Sequence, residues 1–170
     1  MNEPHTLLRV NEVAHAVSGT LARSWDDRVK MLGEAAIKLP QLKLDTKHLF
    51  ADGMYMRILP RPKGCLIVGK VHKKEHFYVV LSGRVRVISN NEPHDLQAGD
   101  AIVCPPGTQR AVLALEDSVC LTVHRTDKTE MDEIEEDLVE PNPDSPYLPG
   151  NVLKPDALVH GAEPPKLESV

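Results

Sequence analysis

The chain has 170 residues, 41% of them hydrophobic, and its 20 Lys and Arg against 25 Asp and Glu leave a formal net charge of −5. That is the size and composition of one soluble domain with appendages, able to bury a real core, and the acidic balance removes any general electrostatic case for nucleic acid as a partner. No stretch approaches the roughly 18 consecutive apolar residues that a membrane span needs.

In chain order, the opening MNEPHTLLRV lacks the basic start and apolar stretch of a secretory signal, so a cytoplasmic protein is expected. Leu7, Val10, Ala14 and Val17 recur at helical spacing. Ser24 with Asp27 then makes a capping-box-like start for WDDRVKMLGEAAIKL, which Pro40 ends. In that second helix Trp25, Val29, Leu32, Ala36 and Leu39 form one apolar stripe, read as a docking face against the main domain.

From about Gly53 the hydrophobic period changes to two, in the short runs MYMRIL, CLIVGKVH, HFYVVL, RVRVI, AIVC, RAVLAL and SVCLTVH. Turn-forming PRPKG, SG, SNNEP, AGD, PPGT and ED separate them, so the pattern predicts an all-β sandwich or barrel. Alternation puts Val68, Lys70 and His72 on one face, and His76, Tyr78 and Val80 opposite Phe77, Val79 and Leu81. Both faces are apolar, so the outer one should be covered, by the N-terminal helices and by a second subunit. Cys65, Cys104 and Cys120 are odd in number, lack CxxC spacing and lie in apolar runs, which predicts buried reduced thiols.

Residues 127–140 read as an acidic amphipathic helix with Met131, Ile134 and Leu138 as its apolar edge, and the proline-rich residues 141–170 as an extended tail. The division expected is therefore a helical extension over 1–50, a β-barrel over 51–126, the acidic helix, and the tail. Charge follows this division: residues 57–86 hold eight basic residues and only Glu75 as an acid, whereas residues 127–140 hold eight acids and only Lys128. Such asymmetry points to an anionic ligand or a charge-complementary neighbour, against the plainer alternative of two solvated faces.

Two stretches carry a candidate site. In the first, Gly64 is followed after five residues by Lys70, Val71, His72, then by His76 and, six residues on, Gly83; in the second, Gly99 precedes Pro105, Pro106, Gly107 and Arg110. This frame resembles the two motifs of the cupins, small double-stranded β-helix (jelly-roll) barrels, over about sixty residues from Gly64. The resemblance implies a mainly β cupin barrel, and it implies that Lys70, His72, His76 and Arg110 stand where metal-binding cupins place three histidines and a carboxylate. The wider text, from ADGMY to the acidic helix, is also similar to a group of small cupin-like proteins encoded by tailed bacteriophages and prophages, which implies a phage setting, in the host cytoplasm or incorporated in a virion, with neighbouring phage proteins as candidate partners.

Lysine and arginine bring positive charge where a cation would sit. The expectation is therefore a non-catalytic pocket, without a cofactor, in which Lys70, His72, His76, Tyr78 and Arg110 bind a small anion such as a phosphate or carboxylate. Its rival is a barrel that binds nothing, with Lys70 and Arg110 reaching the mouth to pair with acids. A divalent transition metal on His72, His76 and Glu75, with His124 as a fourth group, requires a bulge to turn Glu75 inward and implies a dioxygenase or isomerase. A structural homo-oligomer, using its helices and tail to contact neighbours, is the remaining alternative.

Overall fold

The computed structural model describes residues 24–157. The first predicted helix, on Leu7 to Val17, lies outside them. Helix α1 spans Trp25–Ala36 and starts where expected, with the Ser24 hydroxyl accepting from the Asp27 amide at 3.2 Å and Asp26 and Asp27 in the first turn, where the helix dipole favours negative charge. Val29 and Leu32 of the apolar stripe are buried against Ala111 and against Leu66, Val68 and Ile88. Each such side chain contributes about 1.5–3 kcal/mol by leaving water. Gly33 permits the approach, since a Cβ there would lie 3.2 Å from Cγ1 of Val68.

Nine strands follow, in two antiparallel sheets. One contains β1 (Lys47–Ala51), β2 (Met54–Arg61), β9 (Ser118–Arg125), β4 (His76–Ser82) and β7 (Ala101–Cys104), in that spatial order. The other is ordered β3 (Leu66–Val68), β8 (Ala111–Ala114), β5 (Arg84–Ile88) and β6 (His94–Gln97). Between them Tyr78, Val80, Val85, Val87, Leu96, Cys104, Val112 and Cys120 form the main core. This is the mainly β jelly-roll barrel that the sequence resemblance implies. The three cysteines are buried and free.

Helix α2 spans Met131–Leu138 and lies across one end of the barrel, where Ile134 and Leu138 pack on Tyr55. The basic and acidic segments of the sequence meet here. Lys70 pairs with Glu135, Lys74 Nζ lies 2.6 Å from Asp137, and Lys73 donates from its ammonium to the Glu136 carbonyl at 2.7 Å. Backbone bonds continue the strap: Lys73 N donates to Leu138 O, and Glu140 N to Val71 O, each at 2.8 Å.

Residues 141–157 do not run out as an extended tail. Strands β10 (Tyr147–Leu148) and β11 (Val152–Leu153) pair as a small hairpin around Pro149–Asn151, where Gly150 and Asn151 adopt φ of 73° and 64°. The turn lets the prolines reverse direction. The hairpin is tied to the approach to β1 by Tyr147 Oη donating to the Leu42 carbonyl and Asn151 Nδ2 donating to Thr46 Oγ1.

Candidate metal centre

The inward faces of β2, β9 and β4 are set by alternation and register. Tyr55 lies opposite His124, Arg57 opposite Thr122, and Thr122 opposite Tyr78, so one wall of the interior carries a polar patch directly beneath α2. His76 opens β4. His72 is on no strand: it lies in the connection between β3 and β4, fixed by its amide donating to Thr108 O at 3.1 Å and its carbonyl accepting from Gly107 N at 2.8 Å. It also bridges to Val139, just after α2.

The result is a cluster of three buried imidazoles, His72, His76 and His124, with one nitrogen from each within 4.8 Å of the others. Ring centroids are 4.1 Å apart for His72 and His76, 4.6 Å for His76 and His124, and 5.4 Å for His72 and His124. Burial is the main reason all three are held neutral, with neighbouring histidines and the Arg57 and Arg110 charges acting the same way. It brings His76 down to about 4 and His124 to about 3, and it lowers His72 further. Neutral imidazoles expose lone pairs, the state in which histidine ligates a metal. His76 Nδ1 lies 3.2 Å from the Lys74 carbonyl, which fixes the proton there and leaves Nε2 as the acceptor. Nδ1 of His72 and Nδ1 of His124 have no hydrogen-bond partner.

Below the histidines the interior is cationic. Arg110 Nη1 donates to His76 Nε2 at 3.3 Å and to Cys104 Sγ, and its guanidinium lies 4.6 Å from the centre of the Tyr78 ring. Arg61 donates to the Tyr78 hydroxyl, and its guanidinium is 5.5 Å from the same ring. Tyr78 thus contacts two buried guanidinium groups. Among the described residues no ion pair joins Arg57, Arg61 or Arg110 to a carboxylate. Burial lowers the Arg110 pKa, and Nε of both Arg61 and Arg110 lacks a partner. Uncompensated buried charge of this kind is costly unless something else supplies the counter-charge.

A cavity of about 30 Å3 opens against this cluster, lined by Tyr55, Arg57, His72, His124 and Glu135 and roofed by Ile134 and Leu138 of α2. One water needs on the order of 10–15 Å3 of such space. The cavity therefore has room for an ion with a water or a very small anion, and none for a nucleotide or a sugar phosphate while α2 is in place.

Of the residues singled out from sequence, His72, His76, Tyr78 and Arg110 converge inside the barrel. Lys70 does not: residues 69–75 are irregular, so strand alternation fails there, and Lys70 turns to Glu135. Glu75 is exposed on the outside for the same reason, with no bulge to rotate it inward. His124 takes the third place in the cluster. Arg57, Arg61 and Tyr55 escaped sequence reasoning, although their alternation in MYMRILPR marks one face of a strand; Glu135 had no local signal at all.

A family model described as a cupin domain matches residues 61–124. Among solved structures, the chain is similar to KdgF from Halomonas sp. at 21% identity over 52% of this chain and 83% of that one, with a TM-score of 0.46. It is similar to the Cnp3 cupin domain of Schizosaccharomyces pombe at 14% identity over 58% and 69%, TM-score 0.45. It is also similar to the conserved SPY1581 protein of unknown function from Streptococcus pyogenes at 19% over 52% and 82%, TM-score 0.43. No curated protein matches the chain.

Proposed function

Residues 61–124 being a cupin domain, we propose that this protein is a small cupin module whose barrel holds a divalent transition-metal ion on His72, His76 and His124 and takes a small anion beside it. One observation carries the reading: three buried, neutral imidazoles present nitrogens within 4.8 Å of one another. Three histidines with room for one further small ligand are a donor set that suits zinc, iron, nickel or copper. When bound, the ion would act as a Lewis acid toward that ligand. Arg57 and Arg110 supply the positive field that favours an anion, and α2 excludes bulk water.

Metal analysis of protein refolded with iron, manganese, nickel or zinc tests this, with His124→Ala and His72→Ala as comparisons. Near-stoichiometric metal in the wild type, lost in both variants, supports it. Absence of stoichiometric metal under every condition overturns it.

A metal-free anion pocket is the second reading, favoured by Arg110 already occupying the lone pair of His76. Phosphate or formate raising the melting temperature of metal-free protein, with the effect removed by Arg110→Gln, would favour it. A metal-dependent dioxygenase or isomerase is the catalytic form of the first reading and requires α2 to move for any larger substrate. A phage or prophage setting, with a structural role there, rests on the sequence resemblance alone.

A further inference from the structure

Helix α2 is a poor helix by itself. It has 8 residues, where an isolated helix needs about 12–15 to be even marginal in water. Its N-cap, Glu130, makes no side-chain capping bond, and its last turn carries Glu135, Glu136 and Asp137 with no basic residue, the sign of charge that the helix dipole disfavours there. Its place over the barrel therefore depends on the packing of Ile134 and Leu138 and on clamps from outside: Lys70 on Glu135, and Lys74 and Thr126 Oγ1 on Asp137 at 2.6 and 2.7 Å. An element held in this way opens at little cost. The two clamped carboxylates differ in what they face. Asp137 does not line the cavity, whereas Glu135 lines it together with Arg57, His72 and His124, and is the one carboxylate to do so among the described residues. Lys70 takes one of its oxygens, and among the described residues no hydrogen bond reaches the other. Burial lowers the pKa of Arg57, on the same cavity wall, and the Glu135 charge acts against that lowering.

We propose that α2 is an autoinhibitory strap: Glu135 is a tethered carboxylate that holds the anion's place beside Arg57 and the histidines, and a free anion binds by displacing it and releasing α2. This rests on the anion-binding part of the function proposed above and not on the metal. Formate or phosphate offers a guanidinium the same acceptor oxygens that Glu135 does, so tethered and free groups compete for one positive field. The cavity of about 30 Å3 has no room for phosphate while α2 is closed, so the larger anion depends on the displacement most. A tethered competitor lowers the apparent affinity of every free anion by the fraction of time it leaves the place open. The coupling is reciprocal: whatever closure of α2 takes from anion affinity, a bound anion takes from the closure of α2.

The experiment titrates the full chain with formate and with phosphate at constant ionic strength, and follows amide hydrogen exchange of residues 131–138 in the same samples. Glu135→Gln keeps the side chain's shape and removes its charge. Glu133→Gln removes an exposed carboxylate from the same helix, and Asp137→Asn loosens the other clamp while leaving Glu135 in the cavity. Glu135→Gln should tighten both anions by at least about tenfold. Glu133→Gln should stay within about threefold of wild type, the scale of a screened surface charge, and Asp137→Asn should gain less than Glu135→Gln. Saturating phosphate should speed exchange across residues 131–138 of the wild type. Equal or weaker binding by Glu135→Gln overturns the inference while anion binding itself stands. So does an equal gain from Asp137→Asn or Glu133→Gln, or exchange that phosphate leaves unchanged or slows. If neither anion binds wild type or Glu135→Gln, the anion site falls and the inference with it; metal content, measured separately, bears on the metal alone.

Discussion

Arg110 aims a guanidinium N–H at Nε2 of His76 across 3.3 Å. A cation therefore holds a lone pair that a metal would need, and the two occupy the second-motif and first-motif positions of one barrel. Replacing the cation with a neutral ligand should remove both the competition and the repulsion. Arg110→His is expected to tighten zinc or nickel binding by at least about tenfold, the scale on which groups next to a metal site act; competition against a chromophoric chelator measures it, and unchanged or weaker binding contradicts the idea.

Acid should destabilise the metal-free protein through the same histidines. Their folded pKa values lie below the ordinary 6.5, at about 4 for His76 and about 3 for His124. Below pH 6.5 the unfolded chain takes up protons that the folded chain refuses, so stability is full above that pH and falls as pH drops toward 4. The expected loss is on the order of 2 kcal/mol per histidine between pH 6.5 and 5. Urea titrations of chelator-treated protein at several pH values read it, and His124→Gln should flatten the slope.

Lys70 and Glu135 form a partly exposed pair, with side-chain exposures of 22% and 29%. Such a pair is worth little alone and is screened by salt. A double-mutant cycle with Lys70→Ala and Glu135→Ala should give a coupling of about 0.5–1 kcal/mol in low salt that shrinks in 1 M salt. The same variants should speed the access of a chelator to bound metal, since α2 is held over the cavity by this pair and by Lys74 with Asp137.

Two glycines at positive φ should respond unequally to alanine. Gly83, at φ 72°, would place a Cβ 2.3 Å from the Asp117 carbonyl oxygen and 2.6 Å from Ser118 Oγ, whereas Gly99, at φ 94°, would meet nothing within 4 Å. Gly99→Ala suffers backbone strain alone, about 1 kcal/mol. Gly83→Ala, in the β4–β5 turn, adds a collision with the backbone of the β8–β9 turn and should lose about 3 kcal/mol or more. Thermal unfolding of the pair decides it.

The barrel was legible in the residues because its signals are local: inward alternation along HFYVVL and SVCLTVH, and turn glycines at 83, 99 and 107 that all take positive φ. Ser24 and Asp27 announced α1 for the same reason. His72, His76 and Arg110 were legible as a set because two short motifs bracket them. The third imidazole was visible only as a candidate. His124 joins the others through the pairing of β4 with β9, a long-range register that no local pattern specifies.

Lys70 and Glu75 show the opposite limit. Strand alternation assigned Lys70 to the interior, yet residues 69–75 leave the strand, and a lysine free of the pleat turns to the nearest carboxylate, Glu135, on a helix that follows the barrel in sequence. Periodicity could list which side chains face inward where the backbone is regular. Which buried charges lack partners and how much space remains beside the histidines were decided only when distant segments packed, because each depends on what the rest of the chain places next to it.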